Sequence, residues 1–359
     1  METGELIYSS LVSKTGINQI VTSIESISQL PLIATCSHDG QVKMIEMQSG
    51  KIMMRVKSSV EAPSRAVALV EARRSFLVAA CGRQIWLWDM STKIPIEPLC
   101  GHSGDILCLA VYRSHPDYAT ALLPAVVVTG DDRHEIRVWD LESPFSMLRC
   151  LVGHKAPVLC VKVIVTEEDP VAKFKVLSGS ADKSFKIWNL LSGECLHSLE
   201  GHIGPISTLS VLELRVPKTI PYHARRRNAH AANAINEALA LLFQKKTENM
   251  LNNTDSAPVS TMEEFYIDHL VVTAGLDKKV IFWRLRDCIL MHKMEMELPV
   301  KGSAAIVFPR PYLMLTAGEN GLVILDLGLC DDLSEEISEL ISKHQNFVKP
   351  CSNNVDDET

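Results

Sequence analysis

The 359-residue sequence has no uninterrupted apolar run near the roughly 18 residues that a membrane-spanning helix requires. Its first residues, METGELIYSSLVSKTG, lack a basic stretch followed by an apolar core, so no secretory leader is expected. None of the ten cysteines forms a CxxC pair, which argues against zinc-ribbon and thioredoxin-like sites. GxGxxG, GxxxxGK[ST], HExxH and GxSxG are missing, and with them the common dinucleotide, phosphate-loop, zinc-protease and serine-hydrolase signatures. Basic charge is short as well: 36 Lys and Arg against 43 Asp and Glu leave a net charge of -7. The bulk balance therefore favours neither nucleic acid nor an anionic membrane. Together these absences predict a non-enzymatic chain with no cofactor, no metal and no small-molecule substrate.

What the sequence does have is repetition, which is read before any local propensity. GHSGDILCLAV, GHKAPVLCVKV and GHIGPISTLSV align without gaps at His102, His154 and His202. The apolar alternation after each histidine predicts half-buried strands. Downstream, VVTGDDRHEIRVWD, VLSGSADKSFKIWN and VVTAGLDKKVIFWR place Trp139, Trp188 and Trp283 in one register. LIATCSHDGQVKMIE fits the same frame with Ile45 at the tryptophan position; LVAACGRQIWLWD and MLTAGENGLVILD fit with a turn one residue shorter. Cys108 and Cys160 each lie six residues after a histidine, so the cysteines follow the repeat. Reduced core thiols of an intracellular protein are expected, and NNT at Asn252 is then a chance sequon.

A Gly-His pair, a Ser/Thr-Gly strand, a turn aspartate and a Trp-Asp ending resemble the WD40 repeat family, over six units between about residues 5 and 328. The resemblance implies an all-β propeller of four-stranded blades. Each sequence unit supplies the outer strand of one blade and the three inner strands of the next. Six blades are expected, with seven as the alternative. SLVSKTGINQI aligns on SLEGHIGPIST, so residues near Leu6 to Val12 are expected to add the outer strand of the last blade, closing a domain of residues 1–328.

The resemblance further implies hydrogen-bonded tetrads of histidine, hydroxyl, aspartate and tryptophan. The matching residues are His154, Ser178, Asp182 and Trp188, and then His202, Thr273, Asp277 and Trp283. The preceding unit offers His102, Thr129 and Trp139, but Arg133 occupies the aspartate register and Asp132 lies one residue early. Serine, histidine and aspartate are also the ingredients of an acyl-transfer triad. A catalytic serine needs an exposed oxygen and occurs once, whereas this set recurs, so a structural role is expected. The units around Trp88 and Leu325 lack the set.

Residues 214–264 interrupt one unit without alternation or a Trp-Asp ending, and read as an insertion. Within it, 228–251 has helical spacing, and Ile235, Leu239, Leu242 and Phe243 would give it an apolar, partner-binding face. Arg225, Arg226 and Arg227 form the only basic cluster, a candidate RNA or import contact. A capping box at Asp332 and Glu335 predicts a C-terminal helix within 329–348, followed by a disordered acidic tail, 349–359. Candidate partner contacts in turns between second and third strands are His38, Arg83, Asp131, Arg133 and Glu319; Ser103 and Lys155 lie in turns between blades. The expected function is an intracellular scaffold, cytoplasmic or nuclear, binding other proteins within a multi-subunit complex. The alternative is a subunit of a ribonucleoprotein or RNA-processing assembly. A ubiquitin-ligase substrate adaptor is more distant, because FWRLR has Arg286 in place but Arg284 where that box needs an acid.

Overall fold

The computed structural model describes residues 21–26, 32–46, 49–58, 62–71, 75–112, 125–141, 145–166, 173–217, 265–306, 312–317 and 321–326. The expected closing strand near 6–12, the helix at 228–251, the C-terminal helix and the tail all lie outside these residues. So do Glu319, Arg225 to Arg227, Ile235, Leu239, Leu242 and Phe243.

The described residues contain strands and no helix. They form six antiparallel sheets. The first comprises β1 (Val21–Ser26), β2 (Leu32–Ser37), β3 (Gln41–Glu46) and β4 (Ile52–Lys57). The second has β5 (Ser64–Glu71), β6 (Ser75–Cys81), β7 (Gln84–Asp89) and the two-residue β8 (Leu99–Cys100). The third has β9 (Ile106–Tyr112), β10 (Val126–Asp131), β11 (Glu135–Asp140) and β12 (Ser146–Val152). The fourth has β13 (Val158–Val165), β14 (Phe174–Ser180), β15 (Ser184–Asn189) and β16 (Cys195–Glu200). The fifth has β17 (Ile206–Pro217), β18 (Phe265–Gly275), β19 (Lys279–Arg284) and β20 (Ile289–Glu295). The sixth has three: β21 (Val300–Ile306), β22 (Tyr312–Ala317) and β23 (Gly321–Asp326).

Every sheet is a meander, each strand pairing with its neighbour in the chain. The first strands of successive sheets lie side by side, from β1 through β5, β9, β13 and β17 to β21. Each boundary between consecutive sheets holds its own apolar cluster. Leu77 and Trp88 of the second sheet meet Ala34 and Met44 of the first. Val158 and Phe174 of the fourth meet Val128 and Val138 of the third. Face-to-face packing explains why second strands are apolar on both sides, as in β10, where all six residues are buried. Fourth strands are the outside: β16 has no buried residue. This layered arrangement fits the propeller that the resemblance implies.

The inserted segment leaves from a long hairpin. β17 pairs with β18 from Ile206↔Gly275 to Pro217↔Phe265. β19 leaves β18 at Leu270↔Arg284, so 213–217 and 265–269 continue as a two-stranded ribbon. This corrects the expected boundary: residues 214–217 are strand, and the intervening segment is 218–264. The apolar–polar alternation of Leu212, Glu213, Leu214, Arg215 and Val216 continues the strand, and the pairing follows it past the length of the corresponding strands in the other units.

Candidate functional site

An antiparallel meander sets where the candidate residues gather. Turns joining second to third strands, and turns joining one sheet to the next, fall at one end of all sheets. The histidines sit in the sheet-to-sheet turns, the hydroxyls in second strands and the tryptophans in third strands. Trp188 lies opposite Val176, which places it diagonal to Ser178 on the same face.

In the fourth sheet the Trp188 indole N–H donates to Ser178 Oγ (2.8 Å). Ser178 Oγ lies 2.7 Å from His154 Nε2, and His154 Nδ1 lies 2.8 Å from Asp182 Oδ2. An indole N–H can only donate, which leaves the hydroxyl hydrogen for Nε2 and the imidazole N–H at Nδ1, aimed at the carboxylate. The fifth sheet repeats the chain: Trp283 to Thr273 (2.8 Å), Thr273 to His202 Nε2 (2.9 Å), and His202 Nδ1 to Asp277 Oδ2 (3.0 Å). The glycine before each histidine follows from the same packing. A Cβ at Gly153 would stand 3.1 Å from the Trp188 ring, and one at Gly201 3.2 Å from the Trp283 ring.

The third sheet contains the same chain with a different acid. Trp139 Nε1–H donates to Thr129 Oγ1 (2.9 Å), which lies 2.6 Å from His102 Nε2. His102 Nδ1 lies 2.8 Å from Asp131 Oδ2, with both side chains fully buried. Asp131 is thus withdrawn from the candidate partner contacts: its carboxylate also accepts the backbone N–H groups of Arg133 and Glu135. Asp132 turns elsewhere and accepts the N–H of Asp105. Gap-free alignment pointed at Arg133 and Asp132 because it assumed one turn geometry. A carboxylate two residues earlier, at the end of β10, reaches the same imidazole. The only signal was a second acid in GDDR.

Burial sets the protonation. It pushes the His154 and His202 imidazoles below their ordinary value despite the opposing carboxylates. Burial alone would raise the Asp182 carboxyl, but hydrogen bonds from Ser184, the Lys155 N–H and His154 outweigh it and hold the acid below the usual range. Asp277 is lowered in the same way by the Ile203 N–H and His202. Ser184, which sequence reading missed, donates to Asp182 Oδ1 (2.6 Å). Ser178 is fully buried and hydrogen-bonded on both sides, so it presents no open oxygen to a substrate. His102, Asp131 and Glu135 lie close enough to suggest a cation site. Their atoms are engaged, however: His102 Nδ1 on Asp131, and Glu135 with Arg137 at 2.9 Å.

The repeated cysteines mark the seams. Cys108 Sγ reaches Val158 O (3.5 Å) and Cys160 Sγ reaches Ile206 O (3.9 Å), each the first residue of the next sheet. A Cβ on Gly130 or Gly179 would fall 2.8 or 2.7 Å from these sulfurs, hence glycine after Thr129 and Ser178. Burial pushes the Cys160 thiol up to about 12.

The remaining described candidates are exposed turn residues: His38, Arg83, Ser103, Arg133 and Lys155. Arg83 lies 3.8 Å from Asp105 across the boundary between the second and third sheets.

A family profile described as "WD domain, G-beta repeat" matches residues 93–140 and 145–189. A "CCR4-associated factor 4 homolog" from Candida glabrata is 24% identical over 198 residues, 50% of this chain and 33% of that protein. A "WD repeat-containing protein on Y chromosome" from Drosophila willistoni is 28% identical over 158 residues, 44% of this chain and 14% of the relative. "Mitochondrial division protein 1" of Saccharomyces cerevisiae is 25% identical over 165 residues, 43% of this chain and 22% of the relative. The matches thus span a third or less of these relatives' own length. Repeats, register and profile agree, and with these relatives they support a WD40 repeat family for this chain.

Proposed function

We propose that the chain forms a six-bladed propeller, closed by residues near 6–12, and works as a non-enzymatic scaffold that joins other proteins in a multi-subunit complex of the cytoplasm or nucleus. The carrying observation is that the hydroxyl–histidine–aspartate set is buried, recurs in three consecutive sheets and ends in its own hydrogen bonds. What faces outward at that end is a set of unlike turns, which suits recognition of partners. A relative named as an associated factor favours the same reading. The residues that match WD40 tetrads hold each turn to its own sheet, and Arg133 and Lys155 are the first candidates for partner contact. The helix expected at 228–251 would add a second contact.

Affinity purification with cross-linking mass spectrometry tests this. The expected result is co-purifying proteins cross-linked to Lys155, Lys183 or Lys278, some of them lost on Arg133→Glu with Lys155→Glu. A chain that purifies alone under native conditions would refute the scaffold reading.

A further inference from the structure

We infer that the axial space between the first strands holds a small anion with clustered phosphate groups, gripped by Arg65 and Lys301; this goes beyond the scaffold reading and rests on the closed ring proposed with it. The site follows from a regularity of the fold. In β1, β5, β9, β13, β17 and β21 the pairing with the second strand skips one residue, always the second of the strand. The skipped residues are Thr22, Arg65, Leu107, Leu159, Ser207 and Lys301. Such bulges re-aim a side chain and recur beside functional sites. First strands lie side by side, and fourth strands are the outside. In a closed ring the six bulges therefore form one layer around the axis.

Charge in this layer has one sign. Arg65 and Lys301 are exposed, Leu107, Leu159 and Ser207 are half-buried, and no position of the layer is acidic. Among the described residues neither cation has an ion pair or a hydrogen bond, whereas Arg137 of a third strand lies 2.9 Å from Glu135. The Ser207 hydroxyl is engaged, donating to Ala274 O (3.1 Å) and Val300 O. The surroundings are mixed in sign. The turns above carry Asp39, Asp105, Asp132, Glu297 and the tetrad aspartates against their lysines and arginines. Three residues further in, Lys162 and Glu25 share a register, opposite Leu177 and Ala34, and Glu71 and Glu213 stand further still along their strands. The positive excess is thus one layer deep. It suits a compact anion, because an extended acidic chain or a nucleic acid would run on into carboxylates.

The closed ring puts the first sheet between the sixth and the second, so Lys301 and Arg65 stand on either side of Thr22. An Arg fork and a Lys point charge in one layer match two or more phosphate groups. The Lys301 bulge is held by close packing: a Cβ on the following Gly302 would lie 2.8 Å from Thr316 Oγ1. A bound phosphate cluster would join the last sheet to the second across the boundary where the chain ends meet, and so stabilise the fold.

The test is calorimetric titration and thermal melting of the full chain with tripolyphosphate, ATP and inositol hexakisphosphate, which carry clustered phosphates on an inorganic chain, a nucleotide and a cyclitol. At least one should bind with single-site stoichiometry and raise the melting temperature by several degrees, and the tightest of them identifies the source. Arg65→Gln and Lys301→Gln should each weaken it about tenfold, and Arg65→Lys should retain more binding than Arg65→Gln. Lys162→Gln and Lys57→Gln should stay within about twofold of the parent, as distant screened charges do. The substituted side chains are exposed, so every variant should melt with the parent when phosphate is absent. The inference is overturned if none of the three compounds binds, if binding ignores both Gln variants, or if Lys162→Gln costs as much as they do. Oligoglutamate or oligouridylate binding more tightly than every small phosphate would overturn it as well. Ring closure is read separately, by aggregation on deleting residues 1–13, and the scaffold reading by cross-linked partners; both can hold while phosphate binding fails.

Discussion

In the third, fourth and fifth sheets one register of the second strand holds Thr129, Ser178 and Thr273; the second and sixth sheets hold Ala79 and Leu315 there. The histidine register of the sixth sheet holds Met296, which packs on the apolar cluster around Leu313 and Leu315. The first sheet keeps Thr35, but Ile45 stands in the tryptophan register. One half of the molecule thus closes its turns with a directional hydrogen-bond chain, and the other half with aliphatic packing. The difference shows in the polar atoms. Each indole of Trp139, Trp188 and Trp283 has a hydroxyl acceptor. In the second sheet, Trp86 Nε1 and Gln84 Oε1 are buried without a partner. Tryptophan fills either kind of seam, but Trp86, which lies outside the hydroxyl register, has no acceptor for its N–H.

The widest gap between the two halves should come from deleting the ring. Trp188→Ala should cost about 3–5 kcal/mol by leaving a cavity and an unpaired hydroxyl, while the half-buried Ile45→Ala should cost about 1 kcal/mol. Calorimetric melting of both variants makes the comparison, and equal losses would erase the distinction. Next comes the carboxylate of the third sheet. Asp131→Asn should cost about 1–3 kcal/mol and Asp132→Asn under about 1 kcal/mol; the reverse order would return the acid to the position that alignment suggested.

That substitution pair also marks where the sequence stopped being legible. The register of Trp139, Trp188 and Trp283 could be read because cross-strand geometry fixes a ten-residue offset from the hydroxyl. The Gly-His pairs could be read because ring contact and imidazole geometry demand those two residue types. Asp131 could not, because its role depends on how a turn folds back, not on spacing. The ribbon at 213–217 was missed for a different reason: its alternation runs on past the strand length of the other units, where the boundary of the insertion was set. Lys183 and Lys278, which hold left-handed backbone at φ 71° and 64°, gave no sign either, since left-handed conformation is normally signalled by glycine or asparagine. The layer of Thr22, Arg65 and Lys301 draws on residues far apart in the chain and exists only once the sheets are built.

A subtler contrast lies between tryptophans. Trp188→Phe loses a hydrogen bond and strands Ser178, whereas Trp86→Phe removes an unpaired donor. The first should be worse than the second by about 1–2 kcal/mol, and equal melting temperatures would show that the indole N–H contributes nothing in either seam. Acidification should act on the tetrad sheets in one direction. The folded imidazoles of His154 and His202 sit below 6.5, so the unfolded chain binds more protons as pH falls through that value, and stability declines. Asp182 and Asp277, held below 3.8, add a further loss beneath that pH. Melting temperature should therefore be flat from pH 8 to 7 and fall below about 6.5; a rise would reverse the inferred protonation. The smallest expected effect is none: a fluorophosphonate probe should leave Ser178 unmodified in intact-mass analysis, and an adduct there would expose a nucleophile.

The central claim is that the hydroxyl–histidine–aspartate sets hold turns to sheets. Urea unfolding of Ser178→Ala against the parent chain tests it most directly, because the substitution deletes one oxygen and leaves His154 Nε2 and Trp188 Nε1 buried without their partner. The account predicts a loss of about 1–3 kcal/mol with an unchanged denaturant slope. Stability equal to the parent would contradict it.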